Sequence, residues 1–306
     1  MPVLSDRMRW VLGIAGLVAF IAFIEIYLGW LPLLAPWMQL PGLLLPLVVG
    51  LVLVSYLLRT LRIYDYFHAN LRGGFLATFK LVLQHNLANN MLPMRTGEAT
   101  FPLLMSRYFQ VPMGRSLPAL LWFRLLDLHV LGLVAIIALG WERLAPGFIV
   151  FLAFAWLSLP WVFYRLNHWL LARLHPEPSG RLGNILHKLL QGAPVNLPQL
   201  LRTWLWGCLS WLVKLSAFAW LLMLFAGTPL ATAFLGSIGG ELSSVLPIHA
   251  VAGVGTYETG IVAALLPFGV EADTAVAGAV NVHLFLLGVS LLGGVLSLLI
   301  RQGPPR

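Results

Sequence analysis

The sequence predicts an all-α integral membrane protein with about six full transmembrane helices and two re-entrant helical hairpins. Hydrophobic side chains make up 59% of the 306 residues and charged ones only 10%, whereas soluble domains have about 25% charged residues. The mean hydropathy is +0.88. Apolar runs of roughly 20 residues, the length that crosses a bilayer, recur along the chain. The net charge of +8 does not indicate nucleic acid, because the basic residues lie mostly between these runs.

Six apolar runs are long enough to be full transmembrane spans. They cover residues 10–30, 42–58, 117–140, 148–164, 200–225 and 275–300. Between the first two, residues 31–41 are rich in proline and are predicted to form an uncharged turn. We treat the chain, 1–306, as a single polytopic membrane domain.

Two further apolar stretches, at about 75–110 and about 230–268, are broken near their middle. The first break covers residues 89–98 and the second 246–258, and each contains proline, glycine and a carboxylate. The halves are too short to span comfortably, and non-helical backbone at membrane depth needs protein or water around it. We therefore predict a re-entrant helical hairpin at each place.

The distribution of lysine and arginine predicts a cytoplasmic (inner) membrane protein with both termini in the cytoplasm. The predicted outer loops contain only Arg143, and about 165–199 is predicted to be a basic cytoplasmic loop. The predicted inside segments contain Arg7, Arg9, Arg59, Arg62, Arg72, Arg165, Arg173, Arg181, Lys188, Arg202, Arg301 and Arg306. This topology makes the hairpins enter from opposite faces, as in an inverted repeat, and Asn90-Met-Leu-Pro in the first matches Ser244-Val-Leu-Pro in the second.

Charged residues inside apolar segments are the first candidate binding residues, because charge at membrane depth is costly. Arg124 and Asp127 lie three residues apart, on one face of a helix. They either contact a ligand or form an internal salt bridge that fixes packing. Arg95 and Glu98 flank the first break, where they either face a ligand or close the loop upon itself.

The turn from Ala252 to Glu258 is predicted to open a helix, and helix N-termini attract anions. Gly253 and Gly255 would allow a head group to approach the backbone closely, unless they serve helix packing. Tyr257 and Glu258 follow in the same motif, and Glu258 is also placed to cap the helix.

The sequence contains none of the common catalytic or metal-binding motifs. His85, His129, His249 and His283 do not have metal-ligand spacing, and Cys208 is the only cysteine. Neither a Gly-x-Ser-x-Gly elbow nor a Gly-x-x-x-x-Gly-Lys loop occurs. We therefore expect no metal, no cofactor and no catalytic residue.

Three motifs in order resemble the transmembrane region of lysylphosphatidylglycerol synthases. They are Asn90-x-Leu-Pro-x-Arg-x-Gly-Glu98, Arg124-x-x-Asp127, and Leu246-Pro followed by Gly253-x-Gly-x-x-Glu258. The resemblance implies a flippase-like, free-standing member of that family, without the aminoacyl-transferring domain. It departs from the family at Val251-Ala252-Gly253-Val-Gly255, where a Pro-Gly-Gly-x-Gly run is common.

The predicted function is translocation of a phospholipid or polyprenyl-phosphate lipid between leaflets. Arg95 and Arg124 are expected to contact the phosphate, and Glu98, Asp127 and Glu258 to balance these arginines or bind a cationic substituent. The alternatives are a membrane enzyme with Glu98, Asp127 or His129 as general base, or a non-catalytic partner of a biosynthetic complex. The expected partner is a lipid with an anionic head group. Enzymes of lipid or glycan biosynthesis are candidate protein partners, and an oligomer is compatible with the sequence.

Overall fold

The fold is helical throughout the residues that the structure, a computed structural model, describes: 18–173, 181–243 and 251–301. No strand occurs among them, and an all-α integral membrane protein is confirmed. The main helices are α1 (Val18–Tyr27), α2 (Trp30–Met38), α3 (Leu44–Tyr66), α4 (His68–Leu71), α5 (Phe75–Met91), α6 (Thr100–Phe109), α7 (Met113–Arg143), α8 (Pro146–Arg173), α9 (Arg181–Gln191), α10 (Leu197–Ala226), α11 (Leu230–Ser243), α12 (Thr256–Leu265) and α13 (Ala272–Leu299). Short 3₁₀ segments cover Pro93–Ala99, Val251–Gly253 and Leu266–Phe268.

The chain forms two compact units. The first contains the described residues of Met1–Leu53, Leu83–Glu98 and Val213–Leu296. The second contains those of Val54–Val82, Ala99–Leu212 and Ser297–Arg306. In the second unit α7 packs against α6, α8 and α9, and in the first α11 packs against α12.

Six helical segments in the described residues are long and apolar enough to cross a membrane: α3, most of α7, α8, α10, Val251–Phe268 and α13. Five of them match predicted spans. Val251–Phe268 passes the same test of length and composition, although its sequence led us to assign it to the second hairpin. Helices suit this environment because they satisfy their backbone hydrogen bonds internally.

The N-terminal region differs from the prediction. A bend of 81° separates α1 from α2, so the first predicted span ends early and the predicted turn at 31–41 is largely helical. Gly29 lies at the bend with φ +73°, a conformation that favours glycine. Pro32 falls in the first turn of α2, where its missing N–H removes no helical hydrogen bond. Pro36 lies inside α2, so neither of these prolines ends the helix, and the proline content of residues 31–41 misled the sequence interpretation.

Side-chain hydrogen bonds attach α2 to α13 within the first unit. The indole Nε1 of Trp37 donates to Asn281 Oδ1 over 2.6 Å. Asn281 Nδ2 in turn donates to the backbone oxygen of Leu33 over 3.0 Å. Leu33 also packs in an apolar cluster with Ile24 and Val280, so the bent pair is held to α13 by both polar and apolar contacts.

Helices lie on both sides of each predicted hairpin break: α5 and α6 flank the first, and α11 and α12 the second. In the first, a Cβ on Gly97 would lie 2.5 Å from the Ala88 backbone, and one on Gly74 would lie 2.9 Å from the Phe109 ring. In the second, α11 and α12 run antiparallel, and a Cβ on Gly239 would lie 2.2 Å from the backbone oxygen of Gly260. Leu246, Pro247 and His249, in the predicted second break, lie outside the described residues.

Replacing Gly239 by alanine should force α11 and α12 apart, because the added methyl group meets backbone and cannot be accommodated by a rotamer change. We expect a loss of about 1–3 kcal/mol, the usual cost of overpacking, measured as thermal unfolding in detergent. Gly288→Ala is the matched control, since a Cβ on Gly288 meets nothing within 4 Å. Equal stability of the two variants would contradict the close approach.

Candidate functional site

A buried carboxylate and a buried histidine form the centre of a polar cluster in the first unit. His283 Nδ1 lies 2.6 Å from Glu258 Oε1, and their side chains are only 3% and 7% exposed. The backbone N–H of Gly255 donates to the other carboxylate oxygen over 2.8 Å. The ring of Tyr257 stacks on the imidazole with 4.6 Å between centroids. Both carboxylate oxygens of Glu258 are therefore held in place.

The start of α12 has the unusual backbone that this arrangement requires. Ala252, Gly253 and Gly255 have φ values of +57°, +74° and +82°. Such left-handed conformations suit glycine and cost an alanine free energy. The turn brings the Gly255 N–H to Glu258, so the predicted capping role of Glu258 is confirmed. A carboxylate at the positive end of a helix is stabilised in its ionised form.

A small cavity of about 20 Å³ lies beside this pair in the first unit, a volume that fits one water molecule. Asn90, in the last turn of α5, lies here beside Glu241 of α11 and Tyr257 of α12. Among the described residues, the lining is Asn90, Glu241, Ala252, Gly253, Tyr257, His283 and Leu286.

A second buried ion pair adjoins the cavity. Lys214 Nζ on α10 lies 2.6 Å from Glu241 Oε1 on α11, and both side chains are less than one tenth exposed. Asn90, which also lines the cavity, donates from Nδ2 to Ser290 Oγ on α13 over 2.6 Å. The cavity is thus surrounded by paired polar groups from five helices.

Glu98 and its neighbours form a separate polar chain in the first unit. Asn89 Nδ2 lies 3.3 Å from Glu98 Oε1 and 3.2 Å from His85 Nε2. Glu98, in the 3₁₀ segment Pro93–Ala99, therefore contacts the last turns of the preceding helix, α5. Arg95 lies in the 3₁₀ turn, and its side chain is outside the described part of the chain.

Arg124 and Asp127 belong to the second unit, where a third residue joins them. Asp127 Oδ1 accepts from Arg62 over 2.5 Å, and Asp127 Oδ2 lies 3.3 Å from Arg124. The Arg62 side chain is 4% exposed and that of Arg124 28%. Arg62 also lies over the Phe123 ring at 4.7 Å. Two arginines share one carboxylate, so the trio has a net charge of +1.

Arg62 corrects the sequence analysis, which counted it only among the cytoplasmic basic residues. Its partner Asp127 is 65 positions away in sequence, so no local spacing could have identified the pair. Likewise the sequence analysis assigned none of His283, Glu241 and Lys214 to a site. The sequence shows only that these residues are polar and lie in apolar segments. Which of them contact each other is determined by the fold.

His129, one of the bases considered above, has both ring nitrogens engaged in the second unit. Nε2 lies 2.9 Å from the backbone oxygen of Trp156, and Nδ1 accepts from Trp204 Nε1 over 3.1 Å. A donor at Nε2 and an acceptor at Nδ1 describe the neutral imidazole. Its lone pair is already used, so His129 is poorly placed to act as a general base.

A family model for the lysylphosphatidylglycerol synthase TM region matches residues 10–294 of the chain. The chain belongs to this family. Searches of the curated proteins and of the solved structures found no match. Family membership and the apolar helices together give a multi-pass membrane protein with a role related to membrane lipids.

The three motifs of this family member are placed in both units. Asn90, Gly253 and Tyr257 line the cavity of the first unit, Gly255 and Glu258 form the turn beside it, and Glu98 contacts Asn89. Arg124 and Asp127 lie with Arg62 in the second unit. Among the described residues, no group of three or more His, Cys, Asp or Glu is placed to hold a metal ion.

Asp127→Asn should destabilise this family member strongly, because it leaves the buried Arg62 without its countercharge. We expect a loss of about 3 kcal/mol or more in detergent unfolding. Asp65→Asn is the control, since Asp65 pairs with Arg202 at the surface over 2.9 Å and such pairs contribute about 0–1 kcal/mol. Similar losses in the two variants would be inconsistent with a structural role for the trio.

Ala252→Gly should stabilise the protein. Ala252 occupies a position where the family commonly has glycine, and its φ of +57° explains that preference. Relief of the left-handed alanine should raise the free energy of unfolding by about 0.5–1 kcal/mol. Ala135→Gly, in the middle of α7, should lower it by a similar amount. If both variants changed the free energy of unfolding in the same direction, the left-handed conformation of Ala252 would be contradicted.

Proposed function

We propose that this protein translocates a phospholipid or polyprenyl-phosphate lipid between the leaflets of the cytoplasmic membrane, with both termini in the cytoplasm. The observation that carries the proposal is the trio of buried Arg62, buried Asp127 and partly exposed Arg124, which has a net positive charge inside an apolar helical unit. Ionisable residues within membrane-spanning segments are costly and usually functional. An anionic phosphate group would balance this charge.

The two arginines have different parts in this proposal. Arg62 is almost fully buried and is held by Asp127 and by the Phe123 backbone oxygen at 3.2 Å, which suits a positioning role. Arg124 is the more exposed member of the trio and presents a guanidinium, whose planar donors match phosphate oxygens. We assign phosphate contact to Arg124.

Translocation requires that a charged head group cross hydrocarbon, which is unfavourable without polar partners. Motif residues of the first unit are proposed to contribute to translocation together with Arg95: Glu98, Asn90, Gly253, Gly255, Tyr257 and Glu258. The sequence has no nucleotide-binding loop, so a gradient is the proposed energy source.

The test is leaflet exchange of labelled lipids in proteoliposomes, using phosphatidylglycerol, phosphatidylethanolamine and a polyprenyl phosphate. Wild-type protein should exchange at least one phosphate-bearing lipid faster than empty vesicles. Arg124→Ala should slow that exchange by at least about tenfold, since a hydrogen bond between charged groups contributes about 1.5–3 kcal/mol. Glu98→Gln should also slow it.

Arg107→Ala is the matched control, because Arg107 lies exposed on α6, and it should exchange lipid like the wild type. Exchange no faster than in empty vesicles for all lipids would overturn the proposal. Appearance of a chemically altered lipid would favour an enzyme instead.

A further inference from the structure

We propose that the cavity of the first unit is a proton-binding site, with His283 as the group that accepts the proton, and that protons drive the lipid movement proposed above. The inference rests on that proposed function and names its energy source. It starts from two acid–base pairs around one cavity: Glu258 with His283, and Glu241 with Lys214.

The charges of this cluster favour uptake of one proton. Lys214 and Glu241 cancel each other at 2.6 Å. Glu258 and a neutral His283 together have a charge of −1, in surroundings that are buried. A buried net charge is unfavourable, and protonation of His283 removes it. The other ionisable group of the described lining is Tyr257, which stacks on the imidazole.

The geometry identifies His283, and not Glu258, as the group that changes its protonation. Both carboxylate oxygens of Glu258 are already engaged, one by the Gly255 N–H and the other by His283 Nδ1. With Nδ1–H donated to Glu258, the remaining nitrogen, Nε2, has the lone pair. His283 lines the cavity, so this lone pair is the acceptor available to a proton delivered there.

The cavity suits a proton better than a metal cation or a lipid head group. Its volume of about 20 Å³ fits one water and excludes a head group. Hard cations require several oxygen ligands, whereas here a histidine nitrogen takes part and the Lys214 ammonium neutralises Glu241. A water or hydronium ion has polar partners in Asn90, Glu241 and Tyr257.

The proposed step is a reversible proton transfer. A hydronium ion gives its proton to His283 Nε2; one O–H bond breaks, one N–H bond forms, and water remains. The imidazolium is balanced by Glu258, and release to the opposite aqueous side reverses the step. Because residues of α5, α11 and α12 line the cavity, the charge change occurs beside all three helices.

The experiment measures lipid exchange in proteoliposomes with and without a pH difference, while a dye inside the vesicles reports luminal pH. In the wild type, a gradient of one pH unit should support up to about a tenfold excess of lipid in one leaflet for each proton moved. The dye should show proton movement with the lipid, and a protonophore should abolish the excess.

His283→Gln keeps a donor for Glu258 but cannot be protonated. It should lose the response to a pH difference and the accompanying proton movement. His68→Gln, at an exposed position of α4, should respond like the wild type. A variant that keeps its gradient response would overturn the assignment of His283.

The wild-type measurement keeps the proposal falsifiable if His283→Gln does not fold. Lipid exchange that ignores the pH gradient and moves no protons would overturn the inference and leave the proposed function standing. A response only to a sodium gradient would also overturn it. Absence of exchange in every vesicle would overturn the proposed function, and the inference with it.

Discussion

Pairing of charge inside apolar helices is the constraint on which this structure depends. Burying an isolated ion in such surroundings would cost a prohibitive amount of free energy. The buried carboxylates among the described residues are each held by a partner from another helix. Asp127 on α7 pairs with Arg62 on α3, Glu241 on α11 with Lys214 on α10, and Glu258 on α12 with His283 on α13. Each pair therefore fixes the distance between two helices as well as satisfying its charges.

Close backbone approach is what allows the second hairpin to form in so short a length. Helix pairs in a membrane gain little from the hydrophobic effect and depend on small residues at their contact. Gly239 and Gly260 supply that contact between α11 and α12. The tight pairing sets Glu241 and Tyr257 beside one cavity, so backbone packing and site chemistry are linked through the same two helices.

The sequence was sufficient for the features that depend on local composition. Five of the span positions followed from apolar length, and the Arg124–Asp127 pair followed from helical spacing. Glu258 as a cap was also predicted and is confirmed. These features share one property: the residues concerned lie within a few positions of each other.

Features that depend on distant residues were missed. Arg62 resembles any arginine at a membrane boundary until the fold brings Asp127 to it. His283 appears as a lone histidine in an apolar run, although Glu258 is only 25 positions away, because the intervening chain turns from one helix into another. The helix α2 was missed for a different reason. The prolines of residues 31–41 were interpreted as marking a turn, but Pro32 lies in the first turn of α2 and Pro36 inside it.

Three polar side chains of α13 connect that helix to three different neighbours in the first unit. Asn281 bonds to α2, His283 to α12 and Ser290 to α5, so each points to a different neighbour. A rotation or sliding of α13 cannot occur alone without breaking one of these bonds. Helices α2, α5 and α12 are thus all bonded to the same helix. A displacement of any one of them would therefore be transmitted through α13 to the other two.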